Sequence, residues 1–180
     1  MIIKRELSQA LVIDIQEKLL PHVQENESVL YNNEILIKGL NLLGVPITFS
    51  EQYPNGLGQT VYDLKKILNE DLKFEKRSFS CFGESKLENH ILSYNKRVLI
   101  ISGLESHVCV LQTVLDSIEL GLLPVVVVDC IGSRNSLDHQ IAISRLERAG
   151  AILTTHESLL FELCQTSENK FFKEISSLIK

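Results

Sequence analysis

Apolar positions along the chain come in short unbroken runs, separated by longer stretches in which they recur every three or four residues. The runs Ala10–Ile15, Val45–Ser50, Arg97–Ser102, Val125–Asp129 and Ile152–Thr155 are rich in β-branched residues and too short for helices, so they read as buried strands. Between them, Glu34–Leu43 places Ile35, Leu36, Leu40 and Leu43 at helical spacing, and Gly44 closes the segment. Glu84–Tyr94, His107–Leu120 and Asp138–Ala149 are helical in the same way, the last two ended by Gly121 and Gly150, and one or two further helices finish the chain. Tyr53–Leu57, with Pro54 and an Asn-Gly pair, reads as an exposed turn beyond the second strand. This alternation predicts an α/β fold, a three-layer αβα sandwich of Rossmann-like type. Its central sheet is mostly parallel, helices cover both faces, and ligands bind beyond the carboxyl ends of the strands.

Composition narrows the picture. A chain of 180 residues suits one domain, here taken as residues 1–180, and 44% apolar with 23% charged residues is the balance of an ordinary folded protein. The formal net charge of −5, with no basic run, speaks against a nucleic-acid partner, which needs Lys and Arg massed on one face. The apolar runs fall well short of the roughly 20 residues that span a bilayer, so no membrane partner is expected. The opening MIIKRELSQALVIDIQ is broken by Asp14 and offers no small-residue cleavage site, so a cytoplasmic location is expected. Four scattered cysteines with no CxxC pair are read as free thiols, without disulfide or metal roles.

Three residues carry candidate chemistry. Cys109 falls in the first turn of the helix after the strongest strand, where unpaired N–H groups and a partial positive charge draw a thiol below its free pKa of about 8.5 and could hold an oxyanion. By spacing alone the plainer reading of the same residue is a buried core thiol. Asp14 ends a central strand and, if ionised there, needs a cationic or hydrogen-bonding partner; capping the next turn is the alternative. Lys76 interrupts the aromatic stretch Phe74–Ser80, where a solvated surface lysine is the plainest reading. Spacing alone does not bring the three together.

The whole chain resembles the isochorismatase-like cysteine hydrolases, a superfamily that includes nicotinamidases. Three motifs carry the likeness, in family order: Asp14-Ile15-Gln16, Lys76 followed by Phe79-Ser80, and Val108-Cys109-Val110 after a glycine-containing turn. The stretch Glu51–Thr60 and the ending Phe172-Lys173-Glu174-Ile175 are similar to the subgroup of isochorismatase-domain-containing proteins. The resemblance implies that Asp14 is the base, Lys76 the stabilising cation and Cys109 the nucleophile. It also implies a cis peptide at Leu104–Glu105, with the backbone N–H groups of Glu105 and Cys109 forming an oxyanion hole. A small-molecule amide or related acyl compound is then the expected substrate, cleaved through a Cys109 thioester, and assembly into homo-oligomers is expected. Isochorismate-type ether cleavage and a non-catalytic redox-sensing role are the alternatives. Gln16, Gln52, Tyr53, Phe79 and Phe82 are the expected pocket residues.

Two departures from the family shape the expectation. Nicotinamidases hold a metal through an Asp-x-His and further histidines after the second strand, and Ser50–Val61 contains no histidine, so no metal and no cofactor are expected. Members that cleave isochorismate typically lack the cysteine, so its presence favours acyl transfer. His107 is not expected to pair with Cys109, because residues two apart on a helix point in different directions. The apolar residues of the C-terminal segment, from Phe171 to Ile179, are expected to pack either on their own domain or on a neighbouring copy.

Overall fold

The computed structural model describes residues 2–180. In chain order it contains β1 (Ser8–Ile13), α1 (Asn26–Leu43), β2 (Ile47–Gln52), the one-turn helices α2 (Pro54–Leu57) and α3 (Tyr62–Lys65), β3 (Lys73–Lys76) and α4 (Ser85–Ser93). There follow β4 (Val98–Leu104), a π-helical turn (Ser106–Val110), α5 (Leu111–Glu119), β5 (Leu123–Gly132), α6 (Ser136–Ala149), β6 (Ile152–Thr154), α7 (His156–Cys164) and α8 (Phe172–Ile179). All six strands join one parallel sheet in the order β3-β2-β1-β4-β5-β6.

The unbroken apolar runs of β1 and β4 follow from their central place, since every residue of both strands is buried. Successive side chains point to opposite faces of a strand. Ala10 and Val12 accordingly join one core with α1, α7 and α8, while Leu11 and Ile13 join a second with α4, α5 and α6. In the C-terminal segment Ile175 is fully buried, and Phe171, Leu178 and Ile179 pack against the first core, so this segment folds back on its own chain.

The sequence pattern missed β3 and misjudged two boundaries that matter. The β3 segment KFEK has no apolar alternation because it is a four-residue edge strand with a largely exposed face. The Tyr53–Leu57 turn closes into the short helix α2 after Tyr53 takes a left-handed conformation. The helix expected over His107–Leu120 begins instead as the π-helical turn, with the Val110 N–H reaching back to the Glu105 carbonyl at 3.2 Å. Such turns interrupt α-helices frequently at functional sites.

Sheet order determines where a site can form. The chain builds outward from β1 through β2 to β3, then returns to the other side of β1 for β4, β5 and β6. The order reverses between β1 and β4, and crossover connections leaving in opposite directions open a crevice at the carboxyl ends there. Asp14 follows directly on β1, and the π-turn bearing Cys109 follows on β4.

Candidate active site

The rim of β1 and β4 is shaped by two unusual backbones. Gly103, paired with Ile13, has φ 116°, and a Cβ there would lie 2.0 Å from the Ile13 carbonyl oxygen, so only glycine lets the strands meet at this point. Asp14 takes a left-handed conformation with φ 50°, which costs a non-glycine residue about 1–3 kcal/mol and persists only where surrounding contacts impose it. The Leu104–Glu105 peptide is cis.

Asp14 and Lys76 are fully buried, and their charged atoms Oδ2 and Nζ are 2.7 Å apart. Lys76 stands at the end of β3, two strands from β1, and its stem brings the ammonium back to the crevice. Its three N–H donors go to Gln52 Oε1 at 2.7 Å, the Phe79 carbonyl at 2.9 Å and the Ser78 carbonyl at 3.3 Å. The ammonium therefore meets Asp14 as a charge, and Asp14 Oδ2 has no hydrogen-bond partner among the described residues. Asp14 Oδ1 is satisfied by the Ser50 hydroxyl at 2.7 Å, and that hydroxyl is itself 3.7 Å from the Cys81 thiol. Asp14 thus has one oxygen fixed and one lone-pair face open.

The Cys109 thiol stands beside both charged groups. Burial pushes it up to about 12, the Asp14 charge pushes in the same direction, and the Lys76 ammonium only partly opposes them. This corrects the expectation that the helix N-terminus draws the thiol down, because desolvation and an adjacent carboxylate outweigh a terminal partial charge. Burial likewise holds the Asp14 carboxyl above its ordinary range despite Lys76 and Ser50. For Lys76 burial pulls downward, but attraction to Asp14, Cys81 and Cys109 prevails and raises it. The resting thiol is neutral and stands between the Asp14 carboxyl and the Lys76 ammonium.

The expected pocket residues divide. Phe82 is buried in the same apolar cluster as Cys109, and Gln52 grips Lys76 while its Nε2 donates to the Arg77 carbonyl at 2.8 Å. Tyr53 is 41% exposed, with the Arg77 guanidinium 3.9 Å from its ring centroid. Gln16 does not offer a free group to a ligand. Its amide nitrogen donates to the Gln52 and Gly58 carbonyls and its oxygen accepts from the Gln52 N–H, so it is a buried strut for the loop after β2. The Phe79 ring is 54% exposed, and it is the backbone of this residue that contributes, by binding Lys76. His107 is engaged with Ser133 at 2.9 Å and Ser106 with His139 at 2.9 Å, two pairs that clamp the π-turn. Glu105 is buried and accepts from the Arg134 N–H and Nε, both at 3.0 Å.

Sequence reasoning passed over Ser50 and read Cys81 only as one of four free thiols. Ser50 was findable once register was known, since it pairs with Ile13, the residue before Asp14.

Comparison with known proteins gives the arrangement its setting. The family model described as Isochorismatase domain matches residues 8–158. Isochorismatase family protein 1B of Dictyostelium discoideum is 38% identical over 97% of this chain and 87% of its own length. Isochorismatase domain-containing protein 2 of Danio rerio is 35% identical over 96% and 86%. A solved structure from Caenorhabditis elegans, described as MAR1 ribonuclease, superposes with a TM-score of 0.93 at 37% identity, over 99% of this chain and 92% of that one. With its six-stranded parallel sheet and a matched span that runs from β1 into α7, the chain belongs to the isochorismatase family of hydrolase-like α/β proteins.

Proposed function

We propose that the protein is a cysteine hydrolase acting on a small-molecule amide or related acyl compound. The observation that carries this reading is the buried Asp14–Lys76 pair with the Cys109 thiol beside it, Oδ2 being the Asp14 oxygen that carries no hydrogen bond. In the proposed reaction Oδ2 takes the thiol proton as Sγ bonds to the substrate carbonyl carbon. The tetrahedral oxyanion is held by the backbone N–H groups of Glu105 and Cys109. The proton then passes from Asp14 to the departing amine, leaving a thioester. Water, giving a proton to Asp14, adds to that thioester; the acid product leaves and the proton returns to Sγ. Lys76 stays charged throughout and balances Asp14 whenever the carboxylate is ionised. Gln52, Tyr53 and Phe82 are the side chains assigned to the pocket wall, and no metal takes part at this centre.

A panel of small amides incubated with wild type and Cys109→Ala tests the reading through ammonia and carboxylate release. Release by wild type alone supports it; ammonia release that persists in Cys109→Ala would contradict a Cys109 thioester, and turnover of an isochorismate-type ether that survives Cys109→Ala would favour ether cleavage, which needs no thioester. The name of the C. elegans relative raises a ribonuclease reading. It has less support here, because the net charge of −5 provides little attraction for a polyanion. Cleavage of RNA by this chain that Cys109→Ala abolishes would reverse that order. Self-association belongs to the same proposal: Leu137 and Ile141 lie one turn apart on α6 and are both exposed, and sedimentation would count the copies.

A further inference from the structure

We propose that Asp129, Cys130 and His156 form a binding site for a thiophilic divalent cation such as Zn²⁺, separate from the Cys109 centre and reached from the groove between α6 and α7 that Asp129 lines. The carboxylate, thiol and imidazole donor atoms all lie within 4.8 Å of one another. Asp129 and Cys130 are neighbours on β5, where consecutive side chains should point to opposite faces of the sheet. They converge because β5 bulges here: Ile101 pairs with Val126, yet the next pair along, Gly103 with Ile131, passes over the segment 127–130. A bulge re-aims side chains in this way.

The bulge is built rather than loose. From α1, Asn32 Nδ2 donates to the Asp129 carbonyl and Asn33 Nδ2 to the Cys130 carbonyl, each at 2.8 Å. His156 opens α7 against it, its backbone N–H on Asp129 Oδ1 at 2.9 Å and its Nδ1 on Oδ2 at 2.7 Å. Bonds of about 2.0–2.3 Å to a tetrahedral ion set donor atoms about 3.4 Å apart. The site therefore closes by side-chain rotation of about 1 Å, with Oδ2 and Nδ1 parting to admit the ion while the His156 N–H keeps Oδ1 in place.

The donor set selects the ion. Sulfur, nitrogen and one carboxylate oxygen suit Zn²⁺ and its softer neighbours, whereas Mg²⁺ and Ca²⁺ demand oxygen throughout. Access exists, since Asp129 lines both the groove of about 740 Å³ over β6 and a second cavity of about 290 Å³ against α1. Three protein ligands leave a fourth position for water or a ligand, as in zinc sites that are not closed by protein, and Asp129 is the ligand that reaches open space while Cys130 is fully buried. A cysteine binds a metal as its thiolate, so binding releases the Cys130 proton to solvent.

The test uses the full chain carrying Cys109→Ala, so that the catalytic thiol cannot report, titrated anaerobically with Co²⁺. The expected result is one equivalent bound, with a thiolate-to-cobalt charge-transfer band that Zn²⁺ removes by competition. Adding Cys130→Ser should abolish the band, and adding His156→Ala should weaken affinity by about tenfold or more. Should Cys130→Ser fail to fold, the His156→Ala arm decides, because that side chain sits at the mouth of α7 and not in the core. No thiolate band at one equivalent, or a band unchanged by His156→Ala, overturns the proposal.

Discussion

Replacing Lys76 by Met tests the electrostatics of the crevice most sharply. The change keeps the length of the stem and removes the ammonium from Asp14 Oδ2, Gln52 Oε1 and two carbonyls, in a place where neither charged side chain has any exposure. Breaking a fully buried pair by removing one partner costs about 3–5 kcal/mol, mostly from the charge left behind. The loss depends on pH, with a definite sign. Asp14 without Lys76 has a folded pKa still further above its unfolded value, so the native state holds the extra proton. Between the two values its stability falls as pH rises, at about 1.4 kcal/mol per pH unit. The variant should therefore lie closest to wild type in acid and farthest from it at neutral and alkaline pH. Urea unfolding of wild type, Lys76→Met, Asp14→Asn and the double variant measures this directly. The double variant should recover about 2 kcal/mol relative to the sum of the single losses. A loss under about 1 kcal/mol for Lys76→Met, the same at every pH and additive with Asp14→Asn, would refute the buried pair.

Three further expectations follow from the same geometry. Ser50→Ala removes the hydroxyl that lowers the Asp14 pKa, so the acid limb of kcat/KM should move upward by about one pH unit with about a tenfold fall in kcat; an unmoved limb would show that Ser50 does not act through Asp14. Gly103→Ala drives a methyl into the Ile13 backbone at a positive φ, and should cost about 3 kcal/mol or more in a urea midpoint measurement; a midpoint within error of wild type would contradict the close approach of β1 and β4. The resting Cys109 thiol, at about 12, should react with iodoacetamide about a hundredfold more slowly than a free cysteine at pH 7, since its greater intrinsic nucleophilicity offsets only about half of the lost thiolate; labelling as fast as the free thiol would contradict a neutral resting state.

Much of this fold was legible because the central strands are buried on both faces and so read as continuous β-branched runs. Ala10–Ile15 and Arg97–Ser102 declared themselves in that way, and Gly44 and Gly150 closed the helices expected of them, both in left-handed backbone. β3 was illegible for the converse reason: an edge strand of four residues, three of them charged, offers Phe74 alone to the core and so shows no apolar run. The candidate site divides along the same line. Asp14 and Cys109 could be placed at strand ends from periodicity, but Lys76 joins them only through strand order, which puts β3 beside β2 and β2 beside β1. The thiol's charge state was misjudged because a helix terminus is visible in sequence, whereas burial and the nearness of Asp14 are not. Asp129, Cys130 and His156 were silent for a related reason: no ligand spacing links the bulge to a helix start so far along the chain, and it is the sheet that brings them together.

The central claim is that Cys109 carries the acyl group of the substrate, and acid-quenched mass spectrometry tests it most directly. Enzyme mixed with an amide that it turns over, stopped within one turnover and digested, should show the acyl mass on the peptide containing Cys109. Hydroxylamine should remove that mass, and Cys109→Ala should never acquire it. Turnover at full rate with the Cys109 peptide unmodified throughout, or an acyl mass found on another residue, would contradict the account.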